Sequence, residues 1–214
     1  MKIINQHVMK NLLLNFSILI STFSFAQLPT LEWAFAIQNT GGNGDEWGTD
    51  MVLDAHENIY VVANMENANI DIDPGPGVQT LSSPNHAVII ARYDSTGVLD
   101  WAFNIPGNRN NVGLGITMSP NENSIYATGY YESDSDFDPS ANDATLNHVQ
   151  FGRRKVFLAK YDTLGNYEWA FDIGGNTDCE GTDVVVSPTG SVYLTGYVSK
   201  PDVGGIDFDP SAST

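Results

Sequence analysis

Trp33-Ala34-Phe35, Trp101-Ala102-Phe103 and Trp169-Ala170-Phe171 are the same tripeptide, met three times at intervals of 68 residues. A fixed interval on this scale is the mark of a chain built from stacked copies of one unit. Other landmarks keep step with it. Ala91-Arg92-Tyr93-Asp94 returns 68 residues later as Ala159-Lys160-Tyr161-Asp162. Ile59-Tyr60, Ile125-Tyr126 and Val192-Tyr193 mark a third position. Asp71-Ile72-Asp73-Pro74, Asp136-Phe137-Asp138-Pro139 and Asp207-Phe208-Asp209-Pro210 mark a fourth, with the drift of a few residues that loop insertions produce.

Within a unit the pattern has the period of two that belongs to strands. Trp169, Phe171 and Ile173 alternate and so share one face of a sheet. Gly115 to Ser119, Ser124 to Tyr130, Lys155 to Tyr161 and Tyr167 to Ile173 read as four strands. Pro120-Asn121-Glu122-Asn123 and Asp162-Thr163-Leu164-Gly165 supply the turns, the second with a glycine where φ is expected to be positive. No helix is expected beyond the leader. Four antiparallel strands per unit, repeated, predict an all-β fold of the β-propeller class. The excess over a typical ~40–45-residue propeller unit falls at 65–86 and 131–154, between the second and third strands. A β-solenoid is the rival, but its rungs are much shorter.

The short apolar strand of each unit is expected innermost and the Trp-Ala-Phe strand outermost. Blades then cover about 48–105 and 115–173, with a partial one over 182–214 and a spare outer strand at 31–37. A propeller closes with about 4–8 blades. Two full blades with partial ones therefore predict a fragment, completed by further blades of the same gene product or by a second chain.

Residues 1–26 read as a signal peptide: Lys2 and Lys10, an apolar run from Leu12, and Ser24-Phe25-Ala26 as the small-x-small cleavage site. The run is shorter and more polar than the ~20 residues a membrane span requires. Residues 27–214 keep 7 basic against 26 acidic residues, a net charge of −19, against −17 for the whole chain. Such a surface repels nucleic acid and anionic membrane. The expected location is therefore extracellular or on the cell surface, with an extracellular protein or glycan as partner. The lone Cys179 leaves stability to packing rather than to an internal disulfide.

Val184-Val185-Val186-Ser187-Pro188-Thr189-Gly190-Ser191-Val192-Tyr193-Leu194-Thr195-Gly196-Tyr197, continued by Val156 to Asp162, Gly165, Trp169 and Gly174-Gly175, resembles the SBBP-type β-propeller repeat. The Asp-Phe-Asp-Pro inserts are similar to those of secreted Bacteroidetes-type proteins that carry it. The resemblance spans essentially all of 27–214 and implies the fold, not an activity. The first copy departs, with Ala63-Asn64 where the others have Thr128-Gly129 and Thr195-Gly196, and an irregular blade is expected there. Tyr161 to Trp169 also resembles the tryptophan-docking motif of quinoprotein-like propellers. That likeness implies locking between blades. No adjacent-cysteine pair accompanies it, so it does not imply a quinone cofactor.

No catalytic constellation is legible: no His-Glu-x-x-His, no Gly-x-Ser-x-Gly, no phosphate loop. His56, His86 and His148 are expected as solvated loop residues, and Arg153-Arg154-Lys155 as a solvated strand edge. The recurring tryptophans are expected to pack units together, with Trp47 exposed. The sharpest site candidates are the paired carboxylates. Residues i and i+2 of an extended segment point the same way. Asp71 with Asp73, Asp136 with Asp138, and Asp207 with Asp209 are thus candidate calcium ligands, calcium being the one cofactor these pairs suggest. The competing reading is a turn device whose aspartates accept backbone N–H groups before proline. The function expected is a binding or scaffolding module without catalysis of its own. The alternatives are the propeller portion of a glycan-active or quinoprotein-like enzyme with its catalytic part elsewhere, and a structural array of an adhesin or surface layer.

Overall fold

A computed structural model describes residues 34, 36–148, 152–199 and 206–208. The chain divides into two units, 1–34 and 35–214. All the elements below belong to the second, and the signal peptide expected over 1–26 lies outside the described residues. So does most of the strand expected at 31–37.

The described chain is all-β and antiparallel. The first sheet is a meander of β2 (Glu46–Leu53), β3 (Ile59–Asp71), β4 (Thr80–Tyr93) and β5 (Leu99–Ile105), with β1 (Gln38–Gly42) on the far half of β3. The second repeats it with β6 (Asn111–Met118), β7 (Ser124–Tyr131), β10 (Lys155–Asp162) and β11 (Tyr167–Gly175). A ribbon of β8 (Ser135–Asp136) and β9 (Thr145–Leu146) lies in its long insert. A third sheet pairs β12 (Cys179–Val186) with β13 (Val192–Val198), and β14 (Ile206–Asp207) pairs with the end of β11.

The turns follow from local chemistry. In the hairpins joining first to second strands, Asp54, Ser119 and Ser187 each turn a side-chain oxygen back onto backbone N–H groups, those of His56 and Asn58, of Asn123 and Ser124, and of Ser191. The third residue beyond each adopts positive φ: Glu57 at 62°, Glu122 at 55°, Gly190 at 87°. The hairpins joining third to fourth strands do the same with Asp94 and Asp162, and put Gly97 and Gly165 at 86° and 83°. These are the positions where a side chain costs most and glycine least.

The copies also share their irregularities. The first strand bulges at Thr49, Leu114 and Thr182, always one residue past a glycine (Gly48, Gly113, Gly181). The fourth strand bulges at Asp100 and Glu168. There the acid meets the cation of the third strand: Arg92 lies 2.5 Å from Asp100 and Lys160 2.7 Å from Glu168. Each cation also sits 5.5 Å from a tyrosine ring of the second strand, Tyr60 and Tyr126.

Successive sheets stack face to face. β6 lies over β2, β3 and β4, and β12 lies over β6, β7 and β10, whereas β5 and β11 make no contact of that extent. The core between the first two sheets buries Tyr60, Val62, Val88 and Ile90 under Ile116, Ile125, Phe157 and Tyr161. The close approach requires glycine: a Cβ on Gly113 would stand 2.4 Å from Val62 Cγ2, and one on Gly181 2.3 Å from Thr128 Oγ1. Buried Asn64 holds Gly113 by both backbone groups, accepting from its N–H at 2.7 Å and donating to its C=O at 2.9 Å. Asn64 pairs with Trp47, and Ala63 stands where Gly129 and Gly196 stand, so the true counterpart of Thr128-Gly129 is Val62-Ala63. The expected departure at Ala63-Asn64 is therefore one residue out of register, and Asn64 is a clamp between sheets.

Trp101 closes the same joint at the rim. Its Nε1 donates to Thr163 O at 3.2 Å, and its indole lies against Gly165, where a Cβ would be 3.1 Å from the ring. Phe103 meets Tyr161 at 5.0 Å across the gap. Trp169 stacks on Phe171 and packs toward Val184 and Leu194 of the third sheet. Trp33 lies outside the described residues.

Candidate functional site

The acidic inserts are built alike in the first and second sheets. Asp71 Oδ1 accepts from Asp73 N at 3.2 Å and Gln79 N at 3.0 Å, and Asp73 Oδ1 accepts from Gly75 N at 2.7 Å. Asp136 Oδ1 accepts from Asp138 N and Ala144 N, both at 3.0 Å, and Asp138 Oδ1 accepts from Ser140 N at 2.8 Å. Hydrogen bonds from Ser140 hold the Asp138 carboxyl below its ordinary range. Gly77 makes room for this arrangement, since a Cβ there would stand 2.1 Å from Asp73 Oδ2. Proline after the second aspartate brings no backbone N–H to the turn.

The residue between the aspartates is the anchor. Ile72 and Phe137 are buried. The carbonyl of Ile72 accepts from Tyr93 Oη at 3.0 Å and that of Phe137 from Tyr161 Oη at 2.9 Å. The two tyrosines come from the repeated Ala-Arg-Tyr-Asp and Ala-Lys-Tyr-Asp motifs, so one motif fixes the cation, the insert and the following hairpin together. Burial raises the pKa of both phenols and keeps them as donors. In the third copy Asp207 lies opposite Gly174, in the register that puts Asp71 opposite Gln38. Phe208 is exposed there, and Asp209 lies outside the described residues. Among the described residues no group of three or more His, Cys, Asp or Glu side chains is arranged to hold a metal ion.

A second polar cluster lies where the second and third sheets meet. Arg154 bridges Glu132, at 3.4 Å, and Glu180 of β12, and its guanidinium lies 4.6 Å from the centre of the Tyr130 ring. Asp178 accepts from Arg154 N at 3.1 Å and lies 3.4 Å from Arg153. Lys155 and Tyr131 Oη both meet Asp172 Oδ2 at 2.5 Å. The basic run expected at a solvated edge is thus paired: Arg153 and Arg154 reach Asp178 and Glu180 at the third sheet, and Lys155 pairs within the second. Sequence reading missed it because the acids lie 17 to 26 residues from their partners.

His148 is a further departure from expectation. It is buried, with its ring edge-on to Tyr131 at 5.2 Å, and burial, then Lys155, hold its pKa below 6.5. His86 is half-buried, 3.0 Å from Glu66 and 5.9 Å from the Trp47 ring, so Trp47 is partly covered too. Only His56 is exposed as expected. Cys179 is buried, and burial and Asp178 raise its thiol pKa. Its sulfur is thereby kept protonated and weakly nucleophilic.

What these groups do chemically is hold loops and sheets: the carboxylates accept backbone N–H groups or pair with cations of a neighbouring strand or of the next sheet. Among the described residues no helix is long and apolar enough to cross a membrane. No protein-family model matches the sequence, and no curated protein matches it either.

Proposed function

We propose that the chain is a secreted or cell-surface β-propeller module of the SBBP-repeat type, with a binding or scaffolding role and no catalysis of its own. Each 68-residue unit is one blade, over about 48–105 and 115–173, with a partial blade from 182. The observation that carries the reading is the recurring joint. The first strand of each following sheet lies over the first three strands of the sheet before it, with Gly113 and Gly181 against the second and third, while fourth strands stay apart, an arrangement suited to blades around a central axis. The described ion pairs join neighbouring strands of one sheet, as Arg92–Asp100 and Lys160–Glu168 do, or the second sheet to the third, as Arg154–Glu180 does, which suits a rigid platform better than a reaction site. Extracellular proteins or glycans are the partners that an acidic platform outside the cell would meet.

The experiment has two arms. N-terminal sequencing of the exported chain should find Gln27 first. A screen of that chain against chromogenic glycosides, esters and peptides, beside a thermal-shift panel of soluble glycans, should give no turnover. Turnover abolished by a substitution within this chain would overturn the scaffolding reading in favour of an enzyme.

A further inference from the structure

The long insert of the second sheet hangs on a histidine whose ring makes no hydrogen bond. His148 is 4% exposed, and neither Nδ1 nor Nε2 has a hydrogen-bond partner. The ring lies edge-on to Tyr131 at 5.2 Å, and the backbone N–H donates to Asp134 Oδ1 at 2.5 Å. That bond ties the ends of the β8–β9 ribbon together beyond its last ladder pair, Ser135 with Leu146. Tyr131 in turn meets the ring of Phe137, whose carbonyl holds Tyr161 Oη. The first sheet closes the same place differently. There the ladder of β3 and β4 continues past Ile70 with Leu81 to Ala68 with Ser83, two residues beyond Leu81 as His148 is two beyond Leu146. Ser83 is buried as well, but its hydroxyl accepts from Asn85 N at 3.4 Å and has no charge to gain.

The charges around the ring do not suit a cation. β10 brings Lys155, β11 brings Asp172, the insert brings Asp134, and the segment before β10 brings the backbone of Arg153. Glu132, just past β7, is engaged by Arg154 and Asn110. Asp172 Oδ2 already takes Lys155 Nζ and Tyr131 Oη, both at 2.5 Å. A proton on His148 would therefore set a buried charge beside Lys155, with no acceptor in hydrogen-bond geometry for either ring N–H. A charge buried without a partner is among the costliest groups a fold can hold.

We propose that residues 132–148 form an acid-released clasp, closed on a neutral His148 and opened when its ring takes a proton. Opening turns the ring to water and uncovers Phe137 and Tyr131, 1% and 0% exposed when closed, together with the Tyr161 hydroxyl. β6, β7 and β10 keep their own ladders and stay folded. One proton drives the step, so the open fraction rises by up to about tenfold per pH unit below about pH 6.5. The chain thereby presents a new apolar surface only in acid.

Hydrogen–deuterium exchange of the full chain, followed by mass spectrometry from about pH 7.5 to about pH 5 and corrected for the intrinsic rate, tests the clasp. Peptides over 132–148 should lose protection by up to about tenfold per pH unit while those of β4 and β6 hold theirs. Asp138, whose carboxyl lies below its ordinary range, does not titrate in that window. His148→Phe keeps a ring, forfeits no side-chain hydrogen bond and takes no proton, so its insert should stay protected throughout. Nuclear magnetic resonance of the wild-type His148 ring gives a check free of substitution, because its titration should coincide with the loss of protection. Insert protection that ignores pH, that falls together with β4 and β6, or that falls as steeply in His148→Phe as in wild type would each overturn the proposal. So would a ring that titrates while the insert stays closed.

Discussion

Gly113→Ala, measured against Gly48→Ala, probes the contact on which the stack depends. The glycines share one register position, one before the bulge of β6 and one before that of β2, and neither has positive φ. Alanine is therefore compatible with the backbone at both. At Gly113 the new Cβ would lie 2.4 Å from Val62 Cγ2 and 2.7 Å from Val88 Cγ1, far inside contact distance, so the sheets must move apart or two buried valines must leave their rotamers. Moving apart also stretches the two hydrogen bonds to Asn64. Overpacking of this kind costs about 1–3 kcal/mol. Relief of glycine's backbone entropy returns about 0.5–1 kcal/mol, leaving a net loss of about 1–2 kcal/mol. At Gly48 only the entropic gain operates, because among the described residues nothing lies within 4 Å of the added Cβ. The two variants should differ by about 2 kcal/mol in urea unfolding and by roughly 4–8 °C in Tm for a chain of this size. Equal stabilities would refute the stacking of β6 on β3 and β4, whatever the sheets do individually.

Three further outcomes are expected. Glu57→Gly should stabilise by about 0.5–1 kcal/mol, because Glu57 is held at a φ of 62° where its third-copy counterpart is Gly190; an unchanged urea midpoint would argue that the tip is unstrained. Burial lowers the pKa of His148 in the folded state, so the unfolded chain takes up its proton first as pH falls. The stability His148 contributes is thus complete above pH of about 6.5 and lost below it, and His148→Gln should flatten that limb of a Tm-against-pH curve. Asp136→Asn should lower Tm, because Oδ1 closes the insert through two backbone N–H groups, while millimolar calcium and chelator should leave wild type unchanged; a calcium-dependent rise lost in Asp136→Asn with Asp138→Asn would make the pair a cation site.

Much of this was open to a reader of the sequence alone, and for definite reasons. The Trp-Ala-Phe interval, the period-two alternation and the hairpin turns are local signals, and the four strands anticipated from them over 115–173 are present to within a few residues. The positive φ at Gly97 and Gly165 follows from the turn chemistry itself. The Asp-x-Asp-Pro inserts were legible as extended acidic segments with two possible uses. Which backbone groups the carboxylates accept from depends on Gln79 and Ala144, 8 residues further along the chain in each copy, where no local rule reaches. Tertiary structure alone decided the rest. Whether a charge is solvated or paired depends on what the next sheet brings to it, and Arg154 meets Glu180 only because β12 lies over β7 and β10. His148 is buried because the insert folds back onto Tyr131, not because its neighbours in sequence are apolar. The same holds for glycine: Gly48 and Gly113 read alike in the chain. One has no neighbour among the described residues within 4 Å of an added Cβ and the other lies against two valines, a difference made by the presence of a neighbouring sheet and by nothing in the residue itself.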